Sequence, residues 1–409
     1  MKLNILKNNT AANYLYSVSN TIIPLLMIPI FSRLLDAASF GSFIIFQTIS
    51  SFMMVFVDFG LTFSAAHLLS KYDKSVYTLG SSIRIMAAFI ASLIIIFVNM
   101  NFEILPNEVY IYVSLVFVAI GYATLPYWIY NASEESGKIA YLYFFSRCVT
   151  LLITVIYVLW KPGLESAILG FSISNLVSSL IVAIHAIRKF GIFLKNLSLK
   201  SITDVGKGLF MPAIAGVMGA LFSSSLVILI GLNYGPDLAG KIAIADRISK
   251  FVMAAFAPLS NALLPKSFSA FSISYESGLS FISKNTAKLL VIYICTWSVI
   301  LTFRIPISRF FGIESTEGYV YLTLLSLWGA FSLTNNLFGV QYLSGQGRFS
   351  EYSLIFNLFA GILLILFASY NLLNFNVYYF GVCMLVVEAA LSVVFISKIR
   401  IDLLKRRKE

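Results

Sequence analysis

Long apolar runs, broken by short polar segments, recur along the whole chain. Windows of about 19 residues place these runs near 11–32, 41–68, 79–98, 109–130, 139–160, 166–187, 209–232, 241–264, 286–303, 319–342, 352–370 and 377–397. A helix rises 1.5 Å per residue, so about 20 apolar residues cross a hydrocarbon layer roughly 30 Å thick. The runs are unbroken rather than alternating. They therefore predict helices and not the strands of a barrel, since only those two structures satisfy the backbone inside a bilayer. The expected fold is an all-α integral membrane protein of about twelve transmembrane helices.

The polar segments divide this array. The longest, 188–208, is basic, opens on a stretch with amphipathic character and lies at the middle of the chain. It reads either as a plain basic loop or as an interfacial segment near anionic lipid. On either reading it separates an N-terminal six-helix lobe, 1–187, from a C-terminal one, 209–397, with a basic tail at 398–409. The lobes resemble each other: Leu34-Leu-Asp-Ala-Ala-Ser-Phe-Gly41 and Asn233-Tyr-Gly-Pro-Asp-Leu-Ala-Gly240 each join the first helix of a lobe to its second. Repeats in the same topology imply pseudo-two-fold symmetry along the membrane normal, with a cavity between the lobes.

Composition agrees with the pattern, since 59% of the residues are hydrophobic and 11% charged, against about 25% charged in soluble proteins. The formal charge of +11 is carried by scattered loop residues and not by a patch interleaved with exposed aromatics, so nucleic acid is not an expected partner. On the twelve-span arrangement, 20 basic residues fall on the side of the N-terminus and five (Arg33, Lys161, Lys241, Arg304, Arg309) on the other. That bias puts both termini in the cytoplasm. No small-residue cleavage pattern follows Met1–Thr10, so the first helix is expected to remain in the mature protein.

Several chemistries lack their motifs. No phosphate loop is present, Cys148, Cys295 and Cys383 sit singly in apolar runs as packing residues, and His67 and His185 lie at helix ends without metal-ligand spacing. Neither a cofactor nor a metal is expected. A membrane polymerase or glycosyltransferase would need a substantial external loop; the longest, 304–318, holds only Glu314 and Glu317 as an acid pair.

Charges inside the membrane cost roughly 2.5–3.5 kcal/mol each and so mark candidate sites. Arg84, Arg147, Arg247 and Lys250 are the intramembrane cations; Asp58, Asp246 and Glu388 are the acids, available for ion pairing or ion coupling. Asp246 and Lys250, four apart on one helix, neutralise each other. Arg84 is close enough to its helix end to act as an interfacial anchor. Arg147 is deeper, and its options are an anionic ligand or a pair with Asp58 or Glu388. Asn13, Ser17 and Asn20 form a polar stripe on the first helix, and Gln47 and Ser51, with Asp58, a second one on the next helix, as a hydrated cavity would require. Pro24 and Pro29 make the first helix a candidate hinge. Tyr127, Trp128 and Tyr130 read as a sugar-stacking platform or as members of the interfacial aromatic belt.

The runs Arg33-Leu-Leu-Asp-Ala-Ala-Ser-Phe-Gly41, Asp58-Phe-Gly-Leu61, Gly208-Leu-Phe-Met-Pro212 and Gly235-Pro-Asp-Leu-Ala-Gly240 resemble the polysaccharide-transporter branch of the multidrug/oligosaccharidyl-lipid/polysaccharide (MOP) exporter superfamily, and within it the Wzx O-antigen flippases. The resemblance implies a MATE-like bilobed inner-membrane flippase that moves an undecaprenyl-pyrophosphate-linked oligosaccharide across the membrane by alternating access. A polysaccharide polymerase and a chain-length regulator are the implied partners, besides membrane lipids. Two departures stand out. Asp36-Ala37-Ala38 replaces a frequent Gly-Pro, and Ser223-Ser-Ser-Leu226 replaces a segment that is often acidic, which leaves the energy source open. A cation-coupled multidrug exporter of the same superfamily and a lipid II flippase are the competing transport readings.

Overall fold

The computed structural model describes residues 9–62, 64–65, 68, 75–133, 135–191, 199–311, 315–370 and 375–406. Their order is α1 (Asn9–Leu34), α2 (Ala37–Asp58), α3 (Ser75–Phe102), α4 (Val109–Thr124), α5 (Tyr127–Ala132), α6 (Ser136–Trp160), α7 (Leu164–Phe190), α8 (Leu199–Tyr234), α9 (Pro236–Ile273), α10 (Tyr275–Thr302), α11 (Arg304–Phe311), α12 (Thr316–Asn335), a π-helix (Asn336–Gln341), α13 (Tyr342–Gly345), α14 (Phe349–Ala368) and α15 (Tyr379–Arg406). Each of the twelve expected spans coincides with one of these helices or with a broken run of them. Among the described residues nine helices are long and apolar enough to cross a membrane, and Ile23–Leu34 is a shorter apolar helix.

Local chemistry sets the helix ends. Asp36 caps α2 by accepting from the backbone N–H groups of Ala38 and Ser39 at 3.1 and 3.0 Å. Its bonds to Ser39 hold the carboxyl below its ordinary range. The cap makes physical sense of Asp at this position, because it satisfies donors that a helix start leaves open. Ser274 and Ser315 do the same for α10 and α12, and Gly191, at φ 75°, closes α7.

The chain divides into two compact units, residues 1–240 and 241–409. In the first, α1 packs on α6, α4 and α6 both pack on α7, and α2 lies against α3, α4 and α8. Its core is aromatic at one end, with Tyr77, Trp128, Tyr130 and Tyr143 nearly or wholly buried. In the second, α12 and α14 pack on α15, around Tyr342, Leu391 and Phe395. Outward faces are apolar too: Ile85, Phe89, Leu93 and Phe97, at four-residue steps on α3, are all exposed. Such a stripe suits hydrocarbon and not water.

Three expected spans are not regular, continuous α-helices; the run 109–130 breaks at Leu125–Pro126, between α4 and α5. The run 41–68 breaks where Phe59 and Gly60 adopt φ of 48° and 75°, and Asp58 caps the segment beyond the break, accepting from Thr62 N at 3.0 Å and from its hydroxyl at 2.8 Å. The run 319–342 continues α12 into the π-helix. Close approach fixes two glycines. A Cβ on Gly41 would overlap the carbonyl of Pro236, and one on Gly240 would sit 3.0 Å from Gly41 Cα, so the two glycines that close the repeated sequence segments meet face to face.

Gly60 combines a left-handed backbone with contact to α8, since an added Cβ would lie 2.7 Å from Pro212 Cβ and 2.8 Å from Ala213 N. Gly60→Ala is expected to cost about 1–3 kcal/mol through strain and overpacking. Thermal melting of the purified variant checks this; an unchanged midpoint would show that the turn relaxes freely.

Candidate functional site

Pro126 explains why a charge is buried in the first unit. In an uninterrupted helix the N–H of residue 126 would bond the carbonyl of Tyr122, but proline has no N–H, so α4 ends; the Leu125 N–H reaches that carbonyl at only 3.3 Å, and a second donor can take its remaining lone pair. Arg84 of α3 supplies it: Nη2 donates to Tyr122 O at 2.6 Å. Nη1 of the same guanidinium lies 3.8 Å from Asp58 Oδ1 at the end of α2. Arg84 is 4% exposed, so it is no interfacial anchor. It joins three helices and neutralises Asp58.

Tyrosines continue from this pair. Tyr16 of α1 stacks on Tyr127 with centroids 3.5 Å apart and lies 5.6 Å from the ring of Tyr143. The hydroxyl of Tyr143 donates to Asn20 Oδ1 at 3.0 Å. Tyr127, Trp128 and Tyr130 are therefore neither a belt nor an open platform. Trp128 stacks on Tyr77 inside the core, and Tyr130 bonds His185 at 2.7 Å. The sequence reading missed Tyr16, Tyr122 and Tyr143, although the Pro126–Tyr122 spacing was there to be read.

Arg147 of α6 stands apart from the pair. It is 2% exposed, lies 5.2 Å from the Phe171 ring centroid and donates to Ser174 Oγ at 3.5 Å. Its Nε has no hydrogen-bond partner and no carboxylate lies within 4 Å, among the described residues. Ser174 and Ser178 of α7 also share Thr150 Oγ1, at 2.7 and 2.9 Å, so the guanidinium ends in a hydroxyl seam. On α2, Gln47 is buried with neither amide atom bonded among the described residues, while Ser51 is exposed and bonds the Gln47 carbonyl. The side chains of Asn13, Ser17 and His67 lie outside the described residues. α1 runs through Pro24 and Pro29 as one helix.

In the second unit Lys250 Nζ lies 2.6 Å from Asp246 Oδ2, and Arg247 beside them has no ion pair among the described residues. Glu388 of α15 is 3% exposed. Asn335 Nδ2, just before the π-helix, donates to its Oε1 at 3.0 Å, and Ser392 donates to Asn335 Oδ1 at 2.6 Å. Glu388 Oε2 has no partner among the described residues. The π-helix turns Asn336 and Gln341 onto Ser260 of α9, with Gln341 Nε2 2.9 Å from its carbonyl. Cys383 is buried as a packing residue, whereas Cys295 is exposed on α10. Among the described residues, no three His, Cys, Asp or Glu come together as a metal site.

With this geometry in hand, similarity becomes informative. Residues 6–271 match the model of a family described as "Polysaccharide biosynthesis protein". The chain belongs to that family. It is 25% identical over 361 residues, 85% of each chain, to the Escherichia coli (strain K12) protein named "Putative O-antigen transporter". Among solved structures, an inward-facing MATE-family multidrug resistance transporter of the MOP superfamily superposes with TM-score 0.73 at 13% identity, covering 96% of this chain and 95% of the other. The lipid II flippase MurJ, in an inward closed conformation, also gives 0.73 at 13% identity, covering 96% and 87%. This family member is thus a multi-pass, all-α membrane protein with the MATE-like fold of MOP-superfamily transporters.

Removing either charge of the Arg84–Asp58 pair strands the other in a low-dielectric site, at a cost of about 3–5 kcal/mol. Arg84→Ala should lose most membrane-inserted protein, and Arg84→Ala with Asp58→Ala should recover more than half of it. Quantified membrane abundance tests the pair; a double variant no better than the single one would show that the Tyr122 bond, not the ion pair, is what counts.

Proposed function

We propose that this chain is a flippase for a lipid-linked oligosaccharide, an undecaprenyl-pyrophosphate-linked O-antigen or similar surface-polysaccharide repeat unit, carried from the cytoplasmic to the periplasmic leaflet by alternating access. The carrying observation is the charge balance of the first unit. Asp58 is neutralised by Arg84, and Arg147 remains as a buried cation without a carboxylate among the described residues. A positive charge in a low-dielectric wall acts strongly on any anion that enters nearby. A pyrophosphate gains from such a wall and a cationic drug does not, which sets this reading above the multidrug exporter of the same fold. Family membership and the O-antigen transporter relative point the same way. A polysaccharide polymerase and a chain-length regulator would act on the delivered units.

Two experiments divide the reading into cargo and energy. Deletion of the gene should abolish surface polysaccharide while lipid-linked repeat units accumulate inside, and Arg147→Ala should reproduce this at normal protein abundance. Arg147→Lys, which keeps the charge but loses the planar fork, should restore part of the export. Long-chain polysaccharide at wild-type level in the Arg147→Ala strain removes the cationic-wall mechanism. Normal polysaccharide in the deletion strain removes the flippase itself.

Glu388 is the acid proposed to exchange a proton with the transport cycle, because Asp58 and Asp246 are tied to cations and, among the described residues, it is not. Its buried Oε2, without a close hydrogen-bond partner among the described residues, is in a costly state that protonation relieves. Glu388→Gln keeps the acceptor that Asn335 uses, so abundance should hold while export falls by roughly an order of magnitude. Undiminished export would assign Glu388 to helix packing.

A further inference from the structure

The first unit also has a cavity of about 480 Å³ that none of the groups above occupies. Phe56 and Phe59 line it from the end of α2, Ile83, Met86, Ala87 and Ile90 from α3, and Ile202, Gly206 and Phe210 from α8. Ile83 to Ile90 extends about 10 Å, and Ile202 to Phe210 about 12 Å, at 1.5 Å per residue, so the cavity is a slot running along the helices. Met86, Ile90 and Phe210 are each about half exposed, which opens the slot toward the bilayer. Thr203 and Lys207 are its polar lining residues. Lys207 is exposed and forms no ion pair among the described residues.

We infer that this slot is a binding site for an anionic phospholipid, one acyl chain lying between α3 and α8 and the phosphate on Lys207. An apolar channel open to hydrocarbon is filled by a chain, and a single cation at its polar lining selects a negative head group over a zwitterionic one. The positive-inside bias assigns the Lys207 end of α8 to the cytoplasmic leaflet, where anionic lipids concentrate. The slot borders the transport machinery without belonging to it. Ile83 and Phe59, which line it, are the chain neighbours of Arg84 and Asp58, and Phe210 precedes by two residues the Pro212 that Gly60 abuts. A lipid seated there fills the gap between α8 and the helices that hold the ion pair.

The glycines of α8 give a clean test. A Cβ on Gly206 or on Gly208 meets no atom within 4 Å, and only Gly206 lines the slot. Gly206→Leu therefore fills the slot without a backbone clash, while Gly208→Leu makes the same chemical change outside it. Delipidated full-length protein is incubated with dioleoyl phosphatidylglycerol or dioleoyl phosphatidylcholine, and lipid retention is read by native mass spectrometry. Phosphatidylglycerol should be retained about fivefold better than phosphatidylcholine, as one basic residue near an anionic surface allows. Gly206→Leu and Lys207→Gln should each erase that margin, and Gly208→Leu should keep it. Equal retention of the two lipids, or a Gly206→Leu protein that binds like wild type, overturns the site. Should Gly206→Leu not fold, Lys207→Gln alone decides, because an exposed Lys-to-Gln change leaves the packing intact. Displacement of phosphatidylglycerol by equimolar undecaprenyl phosphate also overturns the proposal, by giving the slot to the tail of the transported lipid.

Discussion

One guanidinium holds the first unit's interior together. Arg84 serves two groups: the Tyr122 carbonyl, which lost its regular helical donor to Pro126 and keeps a 3.3 Å bond from the Leu125 N–H, and a carboxylate left at the broken end of α2. The carboxylate is the costlier of the two to leave without a cation, since a buried charge without a partner costs several kcal/mol. A single residue on α3 answers both, so α2, α3 and α4 are fixed relative to one another by charge as well as by shape. The turn at Phe59 and Gly60 belongs to the same arrangement. It ends α2 where Asp58 faces Arg84, and it lets Asp58 cap the next segment through Thr62.

Much of this was legible in the sequence, and the misses have physical causes. Span positions follow from hydropathy because a bilayer imposes a length and forbids unsatisfied backbone. Asp246 and Lys250 were paired correctly because they share one helix, where spacing alone decides contact. Arg84 and Asp58 lie on different helices. Their partnership depends on which helices pack together, which periodicity does not encode. The break at Asp58 was hidden by the apolar residues on both sides of it, although Gly60 marked the place. Tyr127, Trp128 and Tyr130 were misjudged because amphipathic aromatics look alike at an interface and in a core. Their position just after Pro126, where α4 gives way to the short α5, is what turns them inward.

The repeated segments show how close packing and sequence similarity meet. Gly41 and Gly240 end equivalent connections, and they touch without room for a side chain on either. The contact brings the two repeated segments together within the first unit. It also explains why both segments end in glycine, since any larger residue would push α2 away from the start of α9.

The two units distribute charge differently, and that asymmetry bears on function. In the first, the acid is neutralised and a cation is left over in a seam of hydroxyls around Arg147. In the second, the Asp246–Lys250 pair closes on itself, while Glu388 keeps one oxygen unbonded beside a π-helix. A π-turn costs helix geometry and persists mostly where it places functional groups, here Asn336 and Gln341 on Ser260. Under the proposed function the leftover cation favours an anionic cargo. Glu388, with no cation partner among the described residues, is the acid proposed to exchange a proton. The same fold is found in a multidrug resistance transporter and in a lipid II flippase, so under the proposed function the sign of the unpaired charge, and not the helical framework, would set the cargo.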